Sequence, residues 1–196
     1  ATTGYPPEDL LYKTSFLTDN VAAMEQIAAA TKGIAVVLGY VNIVSLKPRP
    51  EGERQSEDVG PRITNAAALC YDGNLVDTYH KIFLPNYGIF DEARYFTPGN
   101  QCLVFTVNGV KVGVNICEDI WYEPGPTTVQ RIAGAQIIVN INGSPYHRGK
   151  GPLRQEMLAQ RARDHGLFIA YTNIVGGQDE LVFDGQSFVL GPDGQL

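Results

Sequence analysis

The sequence predicts an α/β layered domain with a mixed sheet, from three features. Asp72-Gly73 and Asn108-Gly109 each lie between two β-rich segments, the pattern of a two-residue hairpin. From Val112 onward strand-like and helix-like segments alternate, which implies parallel strands joined by crossover helices. Segments such as Ile137-Ile138-Val139 are apolar without alternation, as strands covered on both faces are.

In chain order, Asn20 is placed to N-cap a helix carrying Val21, Met24, Ile27 and Ala28 on one face, with Gly33 stopping it. Ile34 to Val44 reads as a buried strand. Pro48 to Pro61 reads as a loop and the least ordered stretch, its charge cluster Glu51 to Asp58 as a solvated face. Ile63 to Tyr71 and Leu75 to Phe83 are the arms of the first hairpin, Cys102 to Val107 and Val110 to Ile116 those of the second. Strands at Val112 to Ile116, Gln136 to Ile141 and Leu167 to Asn173 then alternate with helices at Thr127 to Ala135 and Pro152 to His165. Gly166 closes the second helix, and Phe183 to Leu190 reads as a last strand. There is no internal repeat or low-complexity tract.

Composition narrows the function classes. In 196 residues, 44% hydrophobic and 18% charged side chains suit one globular domain and are too apolar for disorder. A net charge of −6 argues against a nucleic-acid surface or an anionic-membrane patch. No apolar run approaches the roughly 20 residues of a membrane span, and there is no signal-peptide pattern. The three cysteines and three histidines lack metal-like spacing, so no metal site is expected and a reduced, cytoplasmic setting fits. Ala1 stands in mid-motif, and Gly191-Pro192-Asp193-Gly194-Gln195-Leu196 is a turn leading onward, so the sequence reads as a fragment.

Ligands in α/β folds favour the carboxyl ends of strands. Three polar segments leave such ends: Cys117-Glu118-Asp119, Asn142-Gly143-Ser144-Pro145, and Asn173 to Asp179. A lone cysteine is by default a small core hydrophobe, and Cys70 and Cys102 are read so. Cys117 differs, because a thiol where a strand turns into a short helix meets backbone N–H groups that favour thiolate and can hold an oxyanion. It needs a charged or basic partner. His80 is one candidate, without the surroundings of a Cys-His pair. Lys81 is the other: either a solvated charge at a strand end or a stabiliser of thiolate and oxyanion.

At this point the residues are familiar. Tyr79-His80-Lys81 with Leu84-Pro85-Asn86-Tyr87-Gly88-Ile89-Phe90-Asp91-Glu92 resembles the catalytic-lysine segment of the nitrilase superfamily. Its form is that of the glutaminase domain of glutamine-dependent NAD+ synthetases. Gly113-Val114-Asn115-Ile116-Cys117-Glu118-Asp119-Ile120-Trp121 is similar to the nucleophile segment of the same group. Gly4-Tyr5-Pro6-Pro7-Glu8-Asp9-Leu10, Asn142-Gly143-Ser144-Pro145-Tyr146 and the stretch from Val175 to Gly185 also match, in the family's order over almost the whole chain.

The resemblance implies a four-layer α-β-β-α sandwich, incomplete at both ends, with residues 1–196 as one carbon-nitrogen hydrolase domain. A C-terminal ATP-dependent synthetase domain is expected beyond it. By the same resemblance Cys117 attacks the side-chain amide of L-glutamine, Lys81 stabilises the oxyanion, and water clears the thioester. Tyr87, Ser144 and Lys150 hold the amino-acid end, with Lys150 suited to the α-carboxylate and Glu118 to the α-ammonium. Glu92 orients Lys81, while Trp121 and Tyr5 wall the pocket or merely pack. The general-base glutamate belongs before Gly4-Tyr5-Pro6-Pro7, and is expected upstream of Ala1. Glu8 lies on the wrong side of that motif, so little glutaminase activity is expected of these residues alone.

Ammonia would pass to the synthetase domain, which uses ATP and Mg2+ to amidate deamido-NAD+; no phosphate loop stands in these residues and no cofactor is expected here. The Gly176-Gly177-Gln178-Asp179-Glu180 loop serves either coupling or folding. Homo-oligomers are implied, with Phe183 to Leu190 as an exposed interface. Two alternatives stay open: a stand-alone nitrilase-type amidase or carbamoylase, and a non-catalytic assembly domain. Leu84-Pro85-Asn86-Tyr87 and Gln178 to Gly185 weigh against the first.

Overall fold

A computed structural model of the chain describes residues 1–46 and 60–196. The charge cluster Glu51 to Asp58, and nearly all of the loop expected around it, lie outside the described residues. The chain forms two units, Ala1–Gln101 and Cys102–Leu196.

The first unit opens with a 3-10 helix, Glu8–Tyr12, followed by helix α1 (Thr14–Ala30). Strands β1 (Ala35–Ser45), β2 (Arg62–Tyr71) and β3 (Asn74–His80) form a sheet in the order β1-β2-β3, antiparallel throughout. Only the other unit's main sheet is mixed. Tyr71 pairs with Asn74, leaving Asp72 and Gly73 as the turn at φ +47° and +82°, the left-handed pair that this hairpin needs. A one-turn helix, α2 (Glu92–Tyr95), follows. Met24 and Ala28 of α1 pack on Tyr40, Ala66, Ala68 and Cys70.

Two expectations for this unit need correction. Asn20 is no N-cap: it lies inside α1, buried. Its Oδ1 accepts from Val41 N (3.0 Å) and Thr2 Oγ1 (2.6 Å), and its Nδ2 donates to Val41 O (2.6 Å). The helix extends back to Thr14 because buried Leu17 prolongs the apolar stripe of Met24 and Ala28. Ile34 to Val44 is not a buried strand either. β1 is an edge strand, buried only at Tyr40 and Val41, while central β2 carries the buried run Ala66 to Cys70.

In the second unit come β4 (Val104–Val107), β5 (Val110–Ile116), a 3-10 turn at Cys117–Ile120 and α3 (Pro126–Ile132). After these follow β6 (Ile137–Asn142), α4 (Lys150–His165), β7 (Phe168–Asn173), β8 (Val175–Gln178), β9 (Leu181–Asp184) and β10 (Phe188–Leu190). The five-stranded sheet runs β10-β7-β6-β5-β4, with β5, β6 and β7 parallel and both edges antiparallel. Register aligns Gly113, Ile138 and Ile169 on one face, and Asn115, Asn140 and Tyr171 beside them. Helices α3 and α4 cover that face: Gln130 bonds Asn115, and Leu158, Ala159 and Ala162 join Ile138, Ile169, Tyr171 and Leu190 in the core.

Along β6, expected to be covered on both faces, burial alternates: one face is fully covered and the other partly. Ile138, Asn140 and Asn142 are buried; their neighbours are half-buried. The expected strand Phe183 to Leu190 is in fact two, because Gly185 and Gln186 are left-handed (φ +66° and +55°). β9 pairs with β8 in a small hairpin instead, made from the glycine-rich loop. Phe183 and Leu190 are buried, so the segment offers no continuous apolar face. Among the described residues, no helix is long and apolar enough to cross a membrane.

Asn20→Ala leaves the Val41 N–H and C=O without their amide partner. It is expected to cost about 1–3 kcal/mol, read as a lowered urea midpoint; an unchanged midpoint would contradict the role of this amide.

Candidate active site

In the first unit the candidate chemistry gathers at Lys81, just past the end of β3. Its backbone is anchored on both sides: Lys81 N donates to Asn65 O (2.9 Å), and Gly99 N donates to Lys81 O (2.8 Å). Residue 99 must be glycine, since a Cβ there would overlap His80 O. The Lys81 ammonium is buried and donates to Glu92 Oε2 at 2.7 Å. The other oxygen, Glu92 Oε1, accepts from Tyr5 (2.8 Å) and Asn65 Nδ2 (3.1 Å). Glu92 starts α2, so its own N–H reaches Pro85 O. A buried charge pair with its remaining lone pairs hydrogen-bonded is held in one geometry. Tyr5 and Glu92 also line a cavity of about 220 Å³ with Phe90 and Asp9. Tyr87 is exposed and packs edge-on against Phe90. His80 Nδ1 is engaged by Thr64 Oγ1 at 2.7 Å, and burial holds its pKa below the ordinary range, against a smaller opposing pull from Asp77.

In the second unit, parallel register sets the ends of β5, β6 and β7 side by side: Ile116 beside Ile141, and Asn142 beside Asn173. Cys117 leaves the first of these ends. It is half-buried at φ +46°, a left-handed conformation that is strained for a residue with a Cβ. Asp119 folds the turn back by accepting from Ile116 N at 3.1 Å. Arg161 holds its far end through the carbonyls of Ile120 (3.3 Å) and Trp121 (3.0 Å). Trp121 packs at the margin of the core, and Glu118 is buried. Cys70 and Cys102 carry thiols pushed up by burial, as core cysteines do.

Ser144 follows β6. Asn173 clasps its backbone, accepting from Ser144 N (2.9 Å) and donating to Ser144 O (3.1 Å). Lys150 is the first residue of α4, two residues earlier than expected. A cation at a helix N-terminus opposes the helix dipole. Burial lowers the Lys150 pKa first; Arg154 lowers it further, while Cys117, Glu118 and Asp184 pull the other way. The unit therefore sets positive charge beside Cys117 and Ser144, with carboxylates next to it. Such a set can hold the two charged ends of an amino acid.

Arg154, Asn173 and Asp184 were not among the residues singled out. Arg154 had a signal: helical spacing puts it in line with Leu158 and Ala162, a charge on the apolar stripe. Asn115 and Asn140 also mark the buried face, as amides inside apolar strands. Among the described residues, no group of three or more His, Cys, Asp or Glu side chains gathers in a metal-like cluster.

Comparison with known proteins bears on the family and the fold. The model of the carbon-nitrogen hydrolase family matches residues 1–196. A glutamine-dependent NAD(+) synthetase of Xanthomonas campestris is 47% identical, over 100% of this chain and 33% of its own length. The structure of the Acinetobacter baumannii glutamine-dependent NAD+ synthetase with ADP superposes with a TM-score of 0.84 at 38% identity, over 98% of this chain and 34% of that one. A Nesterenkonia amidase from the nitrilase superfamily superposes with a TM-score of 0.77 at 26% identity, over 98% and 67%. One variant of it, 27% identical with a TM-score of 0.77 over 98% and 66%, carries the acetamide moiety of fluoroacetamide on its active-site cysteine. The fold is thus nitrilase-like, and the chain spans about a third of the length of the curated relatives it matches.

Glu92→Gln takes the counter-charge from a buried ammonium. A loss of about 3–5 kcal/mol is expected, read by urea unfolding; a loss within error would mean Lys81 does not depend on this carboxylate. Lys150 has the opposite sign. Its folded-state pKa lies below the ordinary 10.5, so the unfolded chain binds the proton more tightly and stability rises with pH across that window. Lys150→Met should raise the unfolding midpoint at pH 7, with the gain shrinking as pH climbs through the ordinary lysine range. A gain constant with pH would rule out the charge as its cause.

Proposed function

The chain belongs to the carbon-nitrogen hydrolase family, and from that premise we propose that it is the glutaminase part of a glutamine-dependent NAD+ synthetase. In this reading Cys117 attacks the side-chain amide carbon of L-glutamine. By the family resemblance, Lys81 stabilises the tetrahedral oxyanion. Ammonia departs, and water hydrolyses the γ-glutamyl thioester, so one hard amide cleavage becomes two easier steps. Glu92, with Tyr5 and Asn65 on its other oxygen, keeps Lys81 aimed. Lys150 and the Ser144 hydroxyl receive the α-carboxylate, Glu118 the α-ammonium, and Tyr87 and Trp121 flank the substrate.

Cys117 carries the reading: a half-buried thiol on a strained strand-end turn, beside a lysine whose charge the fold itself disfavours. Strain and unfavourable charge of this kind persist at sites where a ligand or a reaction repays them. The 47% identity to the Xanthomonas campestris synthetase, against 26% to the Nesterenkonia amidase, supports a synthetase over a stand-alone amidase. The synthetase step, with its ATP and Mg2+, then belongs to a further domain fed with ammonia by this one. A cytoplasmic, homo-oligomeric protein is part of the same reading.

The test is covalent labelling of the full-length parent protein, which supplies the expected upstream glutamate, with 6-diazo-5-oxo-norleucine, an electrophilic glutamine analogue, followed by peptide mass mapping. We expect one adduct, on Cys117, slowed by free glutamine and abolished by Cys117→Ala. No adduct on Cys117 ends the proposal.

A further inference from the structure

Arg154 is the largest side chain in the fully buried set, 1% exposed, on the stripe of α4 that faces the sheet. Its guanidinium lies over the Tyr171 ring, 5.5 Å from the centroid. Nη2 donates to Ser144 Oγ at 3.2 Å. Nη1 stands 3.8 Å from Asp184 Oδ1, too far for a hydrogen bond. Nη1, Nε and Asp184 Oδ1 have no hydrogen-bond partner among the described residues. A buried guanidinium with two idle nitrogens is a poor choice for stability, and an apolar side chain of that volume would pack there at less cost. What Arg154 contributes must therefore be sought in what it touches.

It touches Ser144, whose backbone Asn173 has already fixed on both sides. Asn173 also donates to Gly185 O (2.9 Å) and receives Ser187 Oγ at its N–H (3.0 Å), so the segment after β9 is tied into the same frame. Burial, the largest influence on the Tyr171 phenol under the guanidinium, keeps it protonated. With the Arg154 guanidinium donating to Oγ, the Ser144 hydroxyl is oriented so that its own hydrogen points away from the arginine. That hydrogen suits an anionic acceptor. The Arg154 charge also acts on Lys150.

We propose that Arg154 is a positioning residue that orients the Ser144 hydroxyl, so that the site selects amides bearing a carboxylate at their far end over plain amides. This rests on the glutaminase reading and assigns its selectivity to a residue that need not meet the substrate. A purely structural Arg154 would affect all Cys117 chemistry alike. A positioning Arg154 affects only reagents with an amino-acid end.

Two alkylating agents separate these roles. 6-Diazo-5-oxo-norleucine carries the α-carboxylate, whereas iodoacetamide is a plain amide. Labelling rates at Cys117 are measured on the full chain, on Arg154→Met and on Arg154→Lys, with far- and near-UV circular dichroism on each. Arg154→Met should slow the diazo-ketone at least about tenfold more than iodoacetamide, and Arg154→Lys should recover part of that ratio. If Arg154→Met fails to fold, a ratio lowered at least about threefold in Arg154→Lys supports the proposal on the same terms. Equal slowing with both reagents, or no change in the ratio in a folded variant, overturns it while leaving the glutaminase reading intact. An unmodified chain that the diazo-ketone does not label at Cys117 overturns both.

Discussion

A buried carboxamide must have its hydrogen bonds, and in the second unit that requirement organises the candidate site. Asn140 Nδ2 donates to Asn115 Oδ1 (2.7 Å), Asn142 Nδ2 donates to Asn140 Oδ1 (2.7 Å), and Asn115 Nδ2 reaches Thr127 and Gln130 of α3. Gln130 Nε2 in turn donates to Val114 O and Leu103 O. These bonds form only if β5, β6 and α3 keep their register, because a slip of one residue would swap an amide for a valine or isoleucine; of the amide atoms on β5 and β6, Asn142 Oδ1 alone is buried without a partner among the described residues. Buried polar networks of this kind specify one arrangement, since partial satisfaction is costly. At the carboxyl end of the sheet the same logic continues through Asn173, which clasps Ser144. Cys117, Ser144 and Lys150 owe their mutual placement to amides rather than to apolar packing alone.

On that frame the protein holds features that do not favour folding in themselves. Lys81 and Glu92 are a buried ion pair in the first unit, and such pairs often contribute little net stability. Lys150 sits against a helix dipole with its proton weakened by burial. Arg154 leaves two nitrogens idle, and Cys117 is strained. These share a rationale if the chain binds and cleaves a zwitterionic amide, because each becomes favourable once substrate or oxyanion is present. The trade of stability for activity is usual at such sites.

Much of this was legible from residue order. The Asp72-Gly73 and Asn108-Gly109 hairpins depend on backbone angles that those dipeptides adopt locally, so they could be read without tertiary knowledge. α4 and the parallel strands followed from periodicity, and Cys117 and Lys81 stood out through their neighbours in the chain. Errors came where a side chain's partners are distant. Asn20 resembles a helix cap until Val41, 21 residues away, takes both ends of its amide. Phe183 to Leu190 resembles one strand until β9 finds β8 and β10 finds β7.

By itself, then, the order of residues determined which segments turn, coil or extend and which family the chain joins, because those depend on neighbours within a few positions. Tertiary structure alone decided that Arg154 is buried over the Tyr171 ring and that Asn173 clasps Ser144. Those are contacts between groups far apart in the chain. Whether a buried donor finds its acceptor is settled only when sheet register and helix docking have put the two within about 3 Å.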